Sequence, residues 1–384
     1  MKRGFILVVM FFILGSIAFA NDDILSAKEA VLDVNLVSTL NVEPTSSNYV
    51  ISSAEASIYL YPKSSPYQVV SNFNTEPSDY ELINGSVQFN WKNPKGQKIP
   101  YRISARVETD ANQVPIKRKI DYPLDIDEIE DEILGYIDPQ TNIDSDDSDI
   151  QEIAHVLSEG EDDLYEVVFN VATWVHANID YDLQTLTESV SQKASWVLEN
   201  RVGVCDEMTS LFIAILRAQG IPARYVSGIS YTNSDLFDFN WGPHGWAEVY
   251  FPGYGWVPFD VTYGEYGYIN PSHIELRKSK DSGQSSSFYG WYGLNVQISS
   301  EQFDIKPEII SMVGSYEDDP DVEIQAVPFE KEVSFGSYNA IEVTIKNLRN
   351  YYLPYAIHIS ETQNVEITDA NPKLILLKPG EVKR

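Results

Sequence analysis

Three residues have the types and spacing of a nucleophilic centre. Cys205 is the only cysteine among 384 residues. It stands in "NRVGVCDEMTSLFIAILRAQGIP", after a short loop and at the start of an amphipathic run. The unpaired N–H groups and dipole of a helix N-terminus favour an anion such as a thiolate. Downstream, "PHGWAEVYFPGYGWVPFDVTYG" reads as two strands joined by the turn "PGYG", with His244 opening the first and Asp260 closing the second. A turn centred near 252 or 253 pairs positions summing to about 504 to 506, and 244 and 260 sum to 504. Directly opposed residues in a hairpin hold their Cβ atoms roughly 4.5–5.5 Å apart. The Asp260 carboxylate could then accept from one imidazole nitrogen and leave the other for the thiol, the nucleophile–base–orienter arrangement of covalent catalysis.

Each residue also has a plainer reading. Cys205 could be a small buried hydrophobe or the site of an intermolecular disulfide; His244 could be structural, and Asp260 an ordinary turn residue. The three together outweigh these alternatives. Trp246 and Glu248 share the His244 face of the strand, and Glu248 takes a supporting or surface role because Asp260 has the better hairpin register.

The elements that must carry these residues are legible. Met208, Leu211, Phe212 and Ile215 lie on one face of a helix that follows Cys205, and Gly220-Ile221-Pro222 stops it. Leu164, Val167, Val168, Val171 and Val175 predict a second helix over 161–180, opened by Glu161, Asp162 and Asp163. His176, on that helix, is expected to be structural.

At this point a family resemblance is plain. "GVCDEMTSLFIAILRAQGIPARYVSG" followed by "HGWAEVYFPGYGWVPFDVT" resembles the transglutaminase-like superfamily, the papain-like cysteine acyltransferase and protease fold, in its microbial secreted type. The likeness covers roughly residues 155 to 270. It implies an α+β core with the cysteine on a helix against an antiparallel sheet, and carries the roles of nucleophile, base and orienting carboxylate to Cys205, His244 and Asp260. It also implies acyl transfer through a thioester, resolved by an amine or by water. Relatives include cross-linking transglutaminases, amidases and proteases, and some have lost catalysis. The Cys205 N–H is the expected first oxyanion donor. Gln192 and Trp196 in "SQKASWVLEN" are candidates for the second, although Trp196 suits a core position better. Some animal relatives use calcium; no calcium site is legible here, and no cofactor or metal is expected.

The flanks read as β-structure. Leu32, Val34 and Leu36, then Val87, Phe89 and Trp91, then Tyr101, Ile103, Ala105 and Val107 alternate with period two, as do residues after 320. The organisation expected is a signal peptide over 1–20, an N-terminal immunoglobulin-like β-sandwich over 21–120, an acidic linker over 121–154, the transglutaminase-like core over 155–275, a connecting segment over 276–310 and a C-terminal β-sandwich over 311–384. That last sheet is expected to be incomplete, because Pro379-Gly380 is a turn that should lead into a further strand. Asn84-Gly85-Ser86 fits a glycosylation sequon but suits a hairpin turn better. The run from Asp144 fails as a calcium loop, since Asp149 takes the glycine position and His155 the final carboxylate position.

Lys2 and Arg3, the apolar run Phe5–Ile17 and Ala18-Phe19-Ala20 have the layout of a secretory leader cleaved after Ala20. A secreted or cell-surface location follows. Loss of Lys2 and Arg3 with it would take the formal charge from -30 to -32. That surface excludes nucleic acid as a partner, and apolar and aromatic fractions of 43% and 12% exclude a disordered chain. The expected partner is a protein or cell-envelope peptide, with envelope or membrane association through a region beyond Arg384. The alternative to an enzyme is a non-catalytic surface binding or structural protein on the same scaffold.

Overall fold

The computed structural model describes residues 24–384 except 112, 186–190, 235, 238, 315–319, 335, 361–365 and 369–370. The expected signal peptide lies outside the described residues. Strands β1 (Glu29–Pro44), β2 (Val50–Ile58), β3 (Gln68–Glu76), β4 (Tyr80–Ile83), β5 (Ser86–Lys92) and β6 (Lys98–Asp110) come first. Their alternating residues point inward: Leu32, Val34, Leu36, Val87, Phe89, Tyr101, Ile103 and Val107 are buried together. The Asn84-Gly85 step between β4 and β5 has φ of 50° and 76°, the left-handed geometry of a two-residue hairpin loop, so the sequon residues do form the turn.

Helices α1 (Asp131–Leu134), α2 (Ser148–Ser158), α3 (Leu164–Asn178), α4 (Ala194–Asn200) and α5 (Cys205–Ala218) follow, with the short parallel pair β7 (Asp180–Tyr181) and β8 (Val202–Gly203) among them. The expected linker over 121–154 therefore needs correcting. Asp147 caps α2 by accepting from Asp149 N–H and Ile150 N–H, and Ile143, Ile150 and Ala154 are buried in the same core as α3 and α5. The acidic residues of this stretch act as caps and acceptors around apolar anchors. Asp144, for example, accepts from the Ser195 N–H at 3.0 Å and its hydroxyl at 2.7 Å.

Strands β9 (Ala223–Tyr231), β10 (Trp241–Phe251), β11 (Gly255–Asp260), β12 (Glu265–Tyr266) and β13 (Ile274–Ser279) form an antiparallel sheet in the order β12-β11-β10-β9-β13. Helix α5 lies against it, and Leu211, Phe212, Ile213, Ile215 and Leu216 have no exposed surface. Burying each such side chain contributes about 1.5–3 kcal/mol, so the element that carries Cys205 is among the best anchored in the molecule.

Strands β14 (Ser287–Leu294), β15 (Val296–Ser300) and β16 (Asp304–Val313) correct the expected connecting segment over 276–310. They return to the N-terminal unit: β14 adds to β2 in a sheet ordered β14-β2-β5-β4, while β15 and β16 pair successive halves of β1 in the facing sheet with β6 and β3. Glycines and bulges obscure this return in the sequence; β14 slips register between Tyr292 and Gly293, and β16 meets a slip between Val31 and Leu32. The boundary expected at 311 falls inside β16.

The last strands are β17 (Val322–Pro328), β18 (Ile341–Asn347), β19 (Leu353–Ile357), β20 (Lys373–Leu377) and β21 (Val382–Lys383), in two small sheets, β17-β18-β21 and β19-β20. The Pro379-Gly380 turn does lead into a strand, β21, paired with β18. Ile324 of β17 and Ile341 of β18 are each 48% exposed, while Ile345 of β18 is buried. The C-terminal strands also touch the helical core, where Tyr352 and Leu376 are buried beside Tyr165.

Candidate active site

Cys205 begins α5 and is half-buried. The helix N-terminus is fixed by Glu207, whose carboxylate accepts from the Val204 N–H and the Gln192 N–H, each at 3.0 Å. Thr209, one turn further on, donates its hydroxyl to the Gly245 carbonyl at 3.0 Å. That bond joins the cysteine helix to β10 at the residue after His244.

Two glycines let the layers close. A Cβ on Gly245 would meet the Tyr225 hydroxyl oxygen at 1.9 Å, and one on Gly228, the residue opposite His244, would meet the Ile274 carbonyl at 2.3 Å and the Trp246 ring at 2.5 Å. Larger residues at either position would push β10 away from its neighbours.

The β10–β11 ladder pairs Ala247 with Phe259, positions summing to 506, at one end of the expected range. Asp260 therefore falls beyond the ladder, diagonal to His244 on the same face. The His244 Nε2–H donates to Asp260 Oδ2 at 2.6 Å, and both residues are buried. Nδ1 is left for Cys205, which lines the same cleft as His244. The structure thus brings all three predicted residues together.

Asp260 is held from every side. Its Oδ1 accepts from the Thr262 N–H at 2.8 Å and the Tyr263 N–H at 3.0 Å, and its Oδ2 takes a second imidazole, His273 Nε2–H, at 3.0 Å. Burial opposes a charged His244, but the charge and hydrogen bond of Asp260, together with the thiol, more than offset it and hold the ring well above the ordinary histidine range. Burial likewise opposes the Asp260 carboxylate, which His244 and then His273 hold far below the usual carboxylate range.

Aromatic rings wall the site. Tyr263 stacks on His244 with centroids 4.7 Å apart and planes 13° from parallel, and Trp246 lies edge-on to His273 at 5.1 Å. Tyr181, carried by β7, lines the cleft with Cys205, and burial followed by the charge of Cys205 raises its hydroxyl above the usual tyrosine range. A cleft of about 370 Å³ opens onto Cys205, Tyr181 and His244, with Met208, Phe237 and Phe239 on its apolar wall.

Sequence reasoning had left the second oxyanion donor between Gln192 and Trp196. Neither side chain lines the cleft, and Trp196 packs against the helical core. Tyr181 does line the cleft, together with Cys205. Glu248 is a buried ion-pair partner, accepting from Arg224 at 2.7 Å and lying 3.2 Å from Lys278. His176 donates from Nδ1 to the Val261 carbonyl at 2.8 Å, a structural bond at the edge of the cleft. Tyr181, Tyr263, Glu265 and His273 were missed. The available signals were a tyrosine three residues past the end of a helix and a polar run, "INPSH", before a strand.

His244, Asp260 and His273 offer nitrogen and oxygen donors within 4.8 Å of one another. Both rings donate to one Asp260 oxygen, so the donors of this group are engaged with one another as a hydrogen-bonded cluster.

Residues 151–261 match the family model of the transglutaminase-like superfamily. The uncharacterised protein YebA of Bacillus subtilis is 31% identical over 149 residues, 35% of this chain and 20% of that protein. A protein-glutamine gamma-glutamyltransferase of Pseudomonas aeruginosa is 28% identical over 105 residues, 26% of this chain and 15% of its own length. The matched part thus spans a fifth or less of these relatives. A candidate cysteine protease of known structure from Cytophaga hutchinsonii shares the fold, with a TM-score of 0.53 at 16% identity over 75% of this chain and 94% of that one. Among the described residues no helix is long and apolar enough to cross a membrane.

Proposed function

We propose that this chain, whose residues 151–261 form a domain of the transglutaminase-like superfamily, is an exported cysteine enzyme that cleaves or transfers amide-bonded acyl groups. The observation that carries the reading is the buried His244–Asp260 bond of 2.6 Å beside the only cysteine, at the floor of an open cleft.

The steps follow from the groups present. The Cys205 thiolate attacks the amide carbonyl carbon, and the carbonyl π electrons move to oxygen. The Cys205 N–H, at a helix start where such groups have no intrahelical partner, and the Tyr181 hydroxyl take up that negative charge. Imidazolium His244 gives a proton to the amide nitrogen as the C–N bond breaks, leaving a thioester and a free amine. Water or a second amine then attacks the thioester while His244 takes its proton, and the C–S bond breaks to restore the thiolate. Asp260 stays ionised throughout and holds the ring.

Hydrolysis is favoured over amine transfer, because water needs no dedicated binding channel. The substrate class is a protein or cell-envelope peptide, in keeping with the leader-like first 20 residues. The test is to incubate purified protein with cell-envelope extract and a labelled amine. New free carboxyl ends without label support hydrolysis, label incorporation supports transfer, and neither product from wild type would overturn the enzyme reading. A second reading, a non-catalytic binding protein, draws on the aromatic edge strand β14, where Phe288 is 57% and Tyr292 76% exposed. It requires Cys205→Ala to leave cellular function intact.

A further inference from the structure

We infer that His273 is a positioning residue for Asp260, and that Glu265 and Asn270 exist in this fold chiefly to hold it there, so that the working unit has three further members behind the cysteine, histidine and aspartate. This deepens the reading proposed above and rests on it.

His273 immediately precedes β13, on the far side of β9 from the catalytic strands. The chain leaves Asp260 at the end of β11 and crosses the end of the sheet before returning through His273. The ring is fully buried and meets Asp260 Oδ2 at 3.0 Å, the same oxygen that His244 uses at 2.6 Å. A core histidine needing only satisfaction could use any backbone carbonyl; this one binds the single atom that sets the orientation of the catalytic ring.

Its other side is built with equal care. Nδ1 faces the Asn270 carbonyl and side-chain oxygens, both at 3.3 Å, and Glu265 Oε2 at 3.9 Å. Asn270 is itself clamped: its backbone N–H donates to Glu265 Oε2 at 2.8 Å, its side-chain amide to Glu265 Oε1 at 2.5 Å, and its Oδ1 accepts from the Ser272 N–H at 2.9 Å. Glu265 sits opposite Asp260 in the β11–β12 pair, so the loop is tied at both ends to the strand it serves. Burial raises the Glu265 carboxyl above its ordinary range, and the nearby His273 opposes that shift. A buried carboxylate held only for packing would more simply be an apolar residue.

The arrangement has a physical consequence. With Oδ1 bound by two backbone N–H groups and Oδ2 shared by two rings, the Asp260 carboxylate cannot rotate without breaking several bonds. Removing His273 leaves Oδ2 with one donor and opens a void beside it, and His244 gains freedom to turn from the thiol. Misplacement of this order costs about tenfold to a hundredfold in rate.

The experiment uses the whole chain with iodoacetamide as probe and mass spectrometry to quantify alkylation at Cys205. His273→Ala, His273→Gln and Glu265→Gln are compared with wild type, with melting temperature measured for each. Proton NMR of ¹⁵N-histidine-labelled protein follows the downfield ring N–H signals of His244 and His273. The expected result is alkylation about tenfold slower in His273→Ala, with most of the rate recovered in His273→Gln, whose amide still donates, even where the two melt alike. The His244 N–H signal should move in both His273→Ala and Glu265→Gln. Alkylation rates equal to wild type in every variant, or falling only in step with melting temperature, would overturn the inference and leave the nucleophile reading standing. An inert wild-type thiol would overturn the nucleophile reading instead, and the NMR signals would still decide whether His273 positions Asp260: an unmoved His244 signal rejects it.

Discussion

Two buried charge clusters share the central sheet, and β10 supplies a residue to each. His244 joins Asp260, His273 and Glu265; Glu248, four residues later on the same face, joins Arg224, Lys278 and Glu275. Trp246 separates them. Both clusters satisfy their charges at short range. The first opens onto a cleft and a thiol, whereas the second packs against an aromatic wall, with the Arg224 guanidinium 3.9 Å above the Trp256 ring and no member lining the cleft. Burial of charge is thus no mark of chemistry by itself. What distinguishes the first cluster is the thiol and the open cleft beside it.

The largest effect expected from that contrast is Cys205→Ala. Product release from envelope extract should fall at least about 10⁴-fold with no loss of melting temperature, while no substitution in the second cluster should come near it. Asp260→Asn follows, with a fall of about 10²- to 10⁴-fold and a characteristic pH signature. With the carboxylate gone, burial dominates at His244 and favours the neutral ring, so the alkaline limb of the activity profile should move to lower pH; a limb that stays in place would contradict the assigned partnership.

The same pair fixes a window of stability. Because Asp260 is held low, its contribution is present above the ordinary carboxylate value of about 3.9 and is lost as pH falls through the folded value. Because His244 is held high, its contribution is present below about 6.5 and is lost as pH rises through its folded value. Asp260→Asn should flatten both limbs of a melting temperature–pH curve.

Glu248→Ala inverts the pattern. It strands Arg224 and Lys278 near the interior and should cost about 3–5 kcal/mol of stability, read by urea unfolding, while alkylation of the folded fraction stays within about twofold. A loss of reactivity larger than that would merge the two clusters into one. The smallest effect is at the surface: Lys98, 73% exposed, pairs with Glu301 at 3.1 Å, and Lys98→Ala should leave the urea midpoint where it is.

Cys205, His244 and Asp260 were legible in sequence because the information is local. The cysteine sits at a helix start marked by its own periodicity, and the other two span a single hairpin whose register can be counted. His273 was not legible, since it reaches Asp260 only because β13 pairs with β9, and strand order is not written in any one segment. Strands β14 to β16 were hidden for a related reason. Their partners are β1 and β2, more than 200 residues earlier, and glycines and bulges break the period that would have exposed them. In 121–154 the acidic residues masked Ile143 and Ile150, two apolar anchors that belong to the core.

The central claim is that His244 and Asp260 activate Cys205, and its most direct test is the rate of Cys205 carboxamidomethylation by iodoacetamide at neutral pH in wild type, His244→Ala and Asp260→Asn. The account predicts rapid, selective alkylation in wild type, slowed at least about tenfold in both variants. A thiol inert at every pH below about 9, or one alkylated equally fast in all three proteins, would contradict it.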